Sequence, residues 1–366
     1  MQSEYGQVLK ISIFGESHQE TMGFTLHGLA PGISFDWEKV QQMIDRRKPK
    51  PGISTTRVEQ DDFEVISGYF NGYTTGTALT ILVKNQAQQS KDYDLMRQYY
   101  RPSHADYSGE MKYLGYEDYR GGGHFSGRIT VLLVIAGNLC LQILEKKGIE
   151  IGTHILKTKG VSTERFSAVE EDLRREIASL KKVGIPTLEK EDDIIAAIQV
   201  AKENDDSIGG ILETAIVGIP AGVGEPFFDS LESTISHLAF SVPAVKGISF
   251  GLGFDFVDYY GSEVSDGYHY TNKVETSSNY NGGILGGISV GMPCYFDVVI
   301  KPTSTIGKEL STIDKVSKEV TKVLFAGRHD PAIFPRAAVV IEAVTAIAVL
   351  DALVVRNGYL WMRDEA

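Results

Sequence analysis

Two long segments, residues 129–144 and 337–355, are apolar on nearly every face of a helix. A helix of this kind must pack against protein on all sides. The first segment is shorter than the about 20 apolar residues of a membrane span and contains Asn138, while the second contains Glu342 and Asp351. Both are therefore predicted to be buried helices at the centre of a globular fold.

Strands are predicted around these helices. Runs rich in β-branched or aromatic residues occupy residues 78–84, 211–219, 248–256 and 294–300. Helices between sheet layers account for both patterns. Residues 157–206 are rich in charge and have a helical period, which predicts a peripheral, exposed helical module without catalytic groups.

The two halves of the chain echo each other. Residues 27–44 and 217–235 each read as a strand end, a Gly/Pro turn and an amphipathic helix, and later elements recur in the same order. The echo predicts an internal pseudo-two-fold repeat within one domain. Chance similarity between Gly- and Pro-containing turns is the alternative.

Composition narrows the classes of function. The chain has 366 residues, of which 42% are hydrophobic and 23% charged, as in ordinary globular proteins. A formal net charge of -12 disfavours binding to nucleic acid or an anionic membrane. Cys140 and Cys294 stand far apart, which predicts buried, inert thiols rather than a disulfide or a metal site. The N-terminus has no signal-like apolar run, so a cytoplasmic location is expected.

A basic stretch interrupts this acidic chain and contains Arg46, Arg47, Lys48, Lys50 and Arg57. An anionic ligand needs such a local concentration of positive charge. The alternative is a solvated helix end, where cations suit the helix dipole.

Two short motifs bring a histidine close to other reactive groups. FGESHQE, residues 14–20, follows a strand-like run, so His18 is expected on a loop at a strand end. RPSHADY, residues 101–107, contains Arg101, which can grip a phosphate, and His104. Asp106 either holds His104 or caps the next segment.

Glycine-rich motifs offer backbone N–H groups to an anion or a flat ring. GGGHFSGR, residues 121–128, directly precedes the first buried helix, and Ser126 is alternatively its N-cap. NGGILGGISVG, residues 281–291, is followed by KPTST, residues 301–305. A tight β-hairpin is the competing interpretation of the glycines.

GRHDPAIFPRA, residues 327–337, precedes the second buried helix, and Asp330 with the following proline suits a helix start. Its cations Arg328, His329 and Arg336 call for an anionic partner. The chain has no P-loop, no dinucleotide fingerprint, no G-x-S-x-G and no HExxH. Nucleotide hydrolysis, Rossmann-type hydride transfer, serine hydrolysis and zinc proteolysis are therefore unsupported, and no metal is expected.

Taken in order, FGESH, DRRKP, RPSHAD, GGGHFSGR, GGILGGIS, KPTST and GRHDP resemble the chorismate synthase family over nearly the whole chain. The resemblance implies one domain over residues 1–366, with an α+β, β-α-β sandwich fold in which helices pack between antiparallel sheets. It also implies a homotetramer with one FMN per subunit.

The reaction implied by the resemblance is the anti-1,4-elimination of phosphate from 5-enolpyruvylshikimate 3-phosphate, which gives chorismate at the last step of the shikimate pathway. Reduced FMN (FMNH2) is required without net redox change. No segment remains for a reductase domain, so an external flavin reductase is expected to supply it. NADP is a further keyword that the resemblance implies.

Residue roles follow from the resemblance position by position. His18 would protonate the departing phosphate, His104 would control protonation of the reduced flavin, and Asp330 would assist proton removal from the substrate. Ser17 and Ser126 would support them by hydrogen bonding. The implied substrate-binding residues are Arg47, Arg57, Arg101 and Arg336. The implied flavin-binding residues are His124, Phe125, Ser126, Ala244, Gly286, Lys301, Pro302, Thr303, Ser304, Thr305 and Arg328.

Some positions depart from the commoner family pattern. The departing residues are Gln19, Glu20, His124, Phe125, Pro243, Ile53 and Ala332. Ile53 stands where a second substrate-binding arginine is common, and Arg57, Lys48 or Lys50 is expected to supply the missing charge.

Overall fold

The computed structural model describes residues 3–50, 52–54, 60–85, 94–325 and 329–363. Its helices are α1 (Trp37–Arg47), α2 (Asp94–Gln98), α3 (Asp106–Tyr113), α4 (Thr130–Lys146), α5 (Glu170–Ser179), α6 (Glu191–Glu203), α7 (Leu231–Ser241) and α8 (Phe334–Asn357). Its strands are β1 (Glu4–Tyr5), β2 (Lys10–Phe14), β3 (Thr21–His27), β4 (Phe63–Ser67), β5 (Tyr69–Phe70), β6 (Tyr73–Thr74), β7 (Leu79–Lys84), β8 (Glu150–Thr158), β9 (Val161–Ser162), β10 (Gly210–Val217), β11 (Val245–Phe250), β12 (Tyr268–Tyr270), β13 (Val274–Thr276), β14 (Ile284–Leu285), β15 (Ile288–Ser289), β16 (Cys294–Ile300), β17 (Glu309–Ile313) and β18 (Val320–Leu324).

Two antiparallel sheets of five strands share the topology of four of their strands. The first has the strand order β1-β2-β3-β7-β4 and the second the order β11-β16-β10-β8-β9. Along the chain, β2, β3, α1, β4, β7 and α4 in the first half correspond to β8, β10, α7, β11, β16 and α8 in the second. The matching strands have the same neighbours in both sheets. The predicted α+β fold and its internal repeat are therefore confirmed.

The two apolar segments form α4 and α8, and both helices are buried, as predicted. With the preceding 3₁₀ turn, the first forms a helical stretch Gly127–Lys146. By length and composition this stretch and Phe334–Asn357 are each long and apolar enough to cross a membrane, yet 94% and 89% of their apolar windows are buried inside the protein. The helices approach each other closely at Gly137, where an added Cβ would lie 2.5 Å from Cα of Ala343. Glycine in a helix interior costs about 1 kcal/mol relative to alanine, but alanine would not fit here.

Three of the four predicted strands are confirmed as β7, β10 and β16. The prediction of the fourth strand, at residues 248–256, was wrong beyond Phe250, where β11 ends. Gly251 and Gly253 have φ of 57° and 55°, which is left-handed backbone that cannot continue a strand. A 3₁₀ turn over Gly253–Asp258 follows instead.

The charged module at residues 157–206 contains α5 and α6, as its helical period predicts. Its helices are not fully exposed, because Leu173 and Ile177 of α5 pack with Phe166 on buried residues of β10. Cys140 and Cys294 are free and buried, and burial raises the pKa of both thiols, that of Cys294 to about 12.

Candidate functional site

Two adjoining cavities open where α4 and α8 begin and α7 ends. The large cavity has a volume of about 940 Å³, and the basic cavity about 240 Å³. They share the residues Ser126, Gly127, Thr130, Val242, Pro243 and Ile333. Groups from both halves of the repeat therefore meet at one place.

The RPSHAD loop places His104 in the wall of the large cavity. The Asp106 carboxylate lies 2.7 Å from Nδ1 of His104 and accepts hydrogen bonds from Nε and Nη2 of Arg101 at 2.8 and 2.6 Å. Burial alone would raise the pKa of Asp106, but the hydrogen bonds from Arg101 and His104 lower it strongly. Nη2 of Arg101 lies 3.0 Å from the same nitrogen. Asp106 and Arg101 thus hold the imidazole at Nδ1 and leave Nε2 for other partners. Of the two alternatives for Asp106, the one in which it holds His104 is confirmed.

Arg101 also lines the large cavity, but its guanidinium is engaged by Asp106 and is only 7% exposed. Its predicted role in gripping a substrate phosphate stays a prediction. The structure shows it holding the loop that carries His104.

All five residues of KPTST line the large cavity. Lys301 Nζ donates to the carbonyl of Ser103 at 2.5 Å and lies 3.1 Å from Oγ of Ser304. Burial lowers the pKa of Lys301, and nearby Lys246 lowers it further. Thr303 Oγ1 donates to the carbonyl of Asp330 at 2.6 Å. The motif therefore joins the RPSHAD loop to the start of α8.

Ala244, also predicted to contact the flavin, lines the large cavity with a φ of 73°. This left-handed conformation is uncommon for residues other than glycine and is often found at ligand sites. Its carbonyl accepts a hydrogen bond from the backbone N–H of Lys301 at 2.9 Å, which holds the strained residue in place.

The GGGHFSGR segment forms a wall of the large cavity through His124, Phe125 and Ser126. His124 Nδ1 lies 3.0 Å from the carbonyl of Gly15, so this nitrogen carries the proton and donates it. Ser126 Oγ accepts from the backbone N–H of Arg128 at 3.3 Å. Ser126 is therefore an N-cap, but of the 3₁₀ turn Gly127–Ile129 that leads into α4 and not of α4 itself, and the same residue lines both cavities.

Positive charge surrounds the basic cavity. Arg47, Lys48, Arg128 and Arg336 line it together with one carboxylate, Asp61. Asp61 contacts both Arg128 and Arg47, the latter with 3.6 Å between the charged atoms. Cations outnumber carboxylates in a partly buried space, which favours an anionic ligand.

Arg336 connects the two cavities. Its Nη1 donates to Oδ2 of Asp330 at 2.9 Å, and its Nε donates to the carbonyl of Arg47 at 3.0 Å. Asp330 lines the large cavity and Arg336 the basic one. The sequence predicts an anionic partner for the cations of this motif. For Arg336, that partner is Asp330.

Arg128 and Asp61 were not among the predicted site residues. Arg128 ends the GGGHFSGR motif, and that position next to a predicted helix start was a usable signal. Asp61 lies in an ordinary acidic stretch, so only the fold reveals that it faces two arginines.

His18 and Ser17 lie behind the wall of the large cavity rather than in it. Both are buried, and Ser17 Oγ lies 3.0 Å from Nδ1 of His18. Gly121 covers the imidazole so closely that an added Cβ would lie 2.1 Å from Cε1 of His18, and Gly121 lines the cavity. In this conformation Gly121 therefore separates His18 from the cavity.

Within a single subunit, Gly286 does not line the large cavity. It forms the turn of the β14–β15 hairpin, and Gly287 accepts a hydrogen bond from Leu231 N at 2.9 Å at the start of α7. The cavity lies at the other end of α7, which has 11 residues and so a length of about 16 Å. The hairpin alternative for this motif is confirmed, and a flavin contact of Gly286 stays a prediction.

Two predicted residues, Arg57 and Arg328, lie outside the described residues. Ile53 is buried in the core and contributes no charge. Of its proposed substitutes, Lys48 lines the basic cavity, whereas Lys50 donates to the carbonyl of Arg46 at 3.1 Å. Burial lowers the pKa of Lys50 to about 8, with help from Arg46 and Arg336.

Comparison with known proteins supports one family. The family model described as chorismate synthase matches residues 9–354. Chorismate synthase of Pyrococcus abyssi is 40% identical over 96% of this chain and 98% of its own, and that of Korarchaeum cryptofilum is 39% identical over 95% and 96%. A solved crystal structure of chorismate synthase superimposes with a TM-score of 0.76 at 25% identity, covering 97% of this chain and 94% of that one.

Proposed function

Because the chain belongs to the chorismate synthase family, we propose that it converts 5-enolpyruvylshikimate 3-phosphate to chorismate and inorganic phosphate, with reduced FMN as a required cofactor. The observation that best supports this proposal is the joined pair of cavities. A large cavity with His104 in its wall meets a smaller one lined by four cations. A flat cofactor and a highly charged acid need such neighbouring spaces.

The residues of the large cavity fit FMN. Its volume of about 940 Å³ lies within the range of about 300–1,000 Å³ that cofactor sites span. Lys246 and Lys301 offer charge to a phosphate, while Ile129, Leu133 and Ile333 offer apolar surface to a ring. When bound, reduced FMN would lend electron density as the allylic C–O bond breaks and recover it afterwards.

The basic cavity would hold the substrate, whose phosphate and two carboxylates need several cations. Arg47 and Arg336 are the proposed ligands, and Arg128 adds a third guanidinium. Asp61 holds two of these arginines and so fixes their positions before the substrate arrives. Guanidinium groups suit phosphate and carboxylate because they can donate two parallel hydrogen bonds.

Proton handling would fall to three side chains. Asp330, at the junction of the cavities, would assist removal of the substrate proton, and its bond to Arg336 would hold the carboxylate at this junction. His104, held at Nδ1 by Asp106 and Arg101, would act on the cofactor through Nε2. His18 would protonate the departing phosphate, which requires the segment at Gly121 to shift, because that residue covers the imidazole.

Assembly as a homotetramer, a cytoplasmic location and supply of reduced FMN by an external reductase complete the proposal. Large exposed apolar side chains support assembly, since exposed patches of this kind commonly mark interfaces. Examples are Phe228, Phe254, Tyr260 and Tyr270, which are 92%, 82%, 82% and 74% exposed in the single chain. Light scattering of the purified protein tests this part, and a monomer would contradict it.

An anaerobic assay tests the reaction itself. Dithionite-reduced FMN and 5-enolpyruvylshikimate 3-phosphate are added to the protein, and chorismate absorbance and phosphate are followed together. Equal amounts of chorismate and phosphate, with the flavin still reduced, are expected. Stoichiometric flavin oxidation would indicate a flavin oxidoreductase instead, and binding without phosphate release would indicate a non-catalytic binding protein.

A further inference from the structure

A third cavity lies behind the wall formed by His124 and Phe125. This acidic cavity has a volume of about 580 Å³ and lies between the end of β2, helix α3 and the residues that follow α3. His124 and Phe125 line both it and the large cavity. Neither the proposed reaction nor any sequence motif assigns it a role.

The charge of the acidic cavity is opposite to that of its neighbour. Its charged side chains are the carboxylates Glu16, Asp106, Glu117 and Asp118 and the amines Lys112 and Lys315; its other titratable groups are His124 and three tyrosines. Asp106 is paired with Arg101, Asp118 with Arg120, and Lys315 with Glu110 outside the cavity. The carboxylates Glu16 and Glu117 then face one amine, Lys112. This excess of one carboxylate opposes phosphorylated or carboxylated ligands and favours a cation.

Glu117 is the group that most requires a partner. Glu117 as a whole is half-buried, but its Oε2 is buried and has no hydrogen-bond partner within the part of the chain that the structure describes. A buried carboxylate oxygen without a donor is costly. A ligand that brings an N–H group with a positive charge would remove this cost.

Aromatic rings supply the rest of the lining. Phe14, Tyr113, Tyr119 and Phe125 border the cavity, and Phe125 lies 6.1 Å from Tyr113 between ring centroids. The Phe125 ring reaches this position because residue 109 is glycine, where an added Cβ would lie 2.8 Å from the ring. Aromatic faces attract both cations and other aromatic rings.

We propose that the acidic cavity binds a small molecule that combines a protonated amine with an aromatic ring. The amine would donate to Oε2 of Glu117, and the ring would pack between Phe125 and the tyrosines. Such a ligand would also contact the reverse side of the wall of the large cavity. Binding is independent of the proposed elimination, so its test needs neither substrate nor reductant.

The test is a titration of the full chain with 2-phenylethylamine, followed by calorimetry and ligand-observed NMR. We expect saturable binding that is at least about tenfold tighter than that of 2-phenylethanol, which lacks the charge, and of ethylamine, which lacks the ring. Glu117→Gln is expected to weaken binding by about tenfold or more. Glu20→Gln, at an exposed carboxylate outside the cavity, is the matched control and leaves it unchanged.

Thermal unfolding of both variants verifies that they fold, so that a loss of binding reflects the cavity. Equal affinity for 2-phenylethylamine and 2-phenylethanol would overturn the proposal, as would no effect of Glu117→Gln or no saturable binding. Displacement of the amine by oxidised FMN would place the probe in the large cavity and would also overturn it.

Discussion

Glu342 lies at the centre of the helical layer, and its replacement by glutamine would remove a buried charge while keeping the shape of the side chain. The residue is 0% exposed. Arg46 donates to its two oxygens at 3.2 and 2.8 Å, and Lys181 donates to Oε1 at 2.7 Å. Glutamine would leave the buried Arg46 and the one-third-exposed Lys181 without their anion.

The expected loss in free energy of unfolding follows from the pKa of Glu342. Burial alone would raise it, but Arg46 and Lys181 lower it from the ordinary value of 4.5 to about 2. One pKa unit corresponds to about 1.4 kcal/mol, so the charged form contributes about 3 kcal/mol to folding. Breaking buried ion pairs by removing one partner typically costs about 3–5 kcal/mol, which agrees.

The pH dependence has a definite sign. Because the pKa of Glu342 is lower in the folded state, its contribution is fully present above pH 4.5 and is lost as the pH falls towards about 2. Urea unfolding followed by circular dichroism should therefore show Glu342→Gln less stable by about 3 kcal/mol at about pH 7, with a smaller difference at about pH 3.

A matched control is Glu309→Gln, which changes an exposed carboxylate in β17 and should alter the free energy of unfolding by less than about 0.5 kcal/mol. A loss below about 1 kcal/mol in Glu342→Gln, or a difference from wild type that stays constant with pH, would refute this reasoning.

Four further substitutions test the site and the fold. His104→Ala and His18→Ala should fold but lose turnover by a factor of about 10²–10⁴ in the anaerobic assay, and near-normal rates in either would exclude its assigned role. Gly121→Ala should lower turnover by about a hundredfold, because its Cβ would collide with His18 at 2.1 Å; an unchanged rate would mean that the loop already lies elsewhere. Asp351→Ala should destabilise the protein by roughly 2–4 kcal/mol in urea unfolding. Its carboxylate accepts from three backbone N–H groups at 2.8, 3.0 and 2.8 Å, so an effect near zero would contradict this account.

Many residues of the site belong to motifs that can be recognised in the sequence alone, but the sequence does not show how these motifs are arranged in space. KPTST and RPSHAD were both recognised, yet their mutual contact through Ser103 and Lys301 joins residues 198 positions apart. No local pattern encodes such a contact, because it depends on how the two halves of the repeat pack. For the same reason, the position of His18 behind Gly121 could not be inferred from either motif alone.

Local sequence patterns also gave two predictions that the structure corrects. The run at residues 248–256 has strand-like composition, but glycines in left-handed backbone end β11 at Phe250. The module at residues 157–206 was predicted to be peripheral and exposed, yet Lys181 reaches the buried carboxylate of Glu342. A lysine at a charged helix end gives no sign of such a partner 161 residues away.

The sequence by itself determined which segments must be buried, since an apolar helix surface is unfavourable in water whatever its neighbours are. It also determined the family, because seven motifs occur in order along the chain. Only the tertiary structure decided which charges face one another, and so which cavity is basic and which is acidic. Electrostatic interactions depend on separation in space and on burial, and neither quantity is contained in the order of residues.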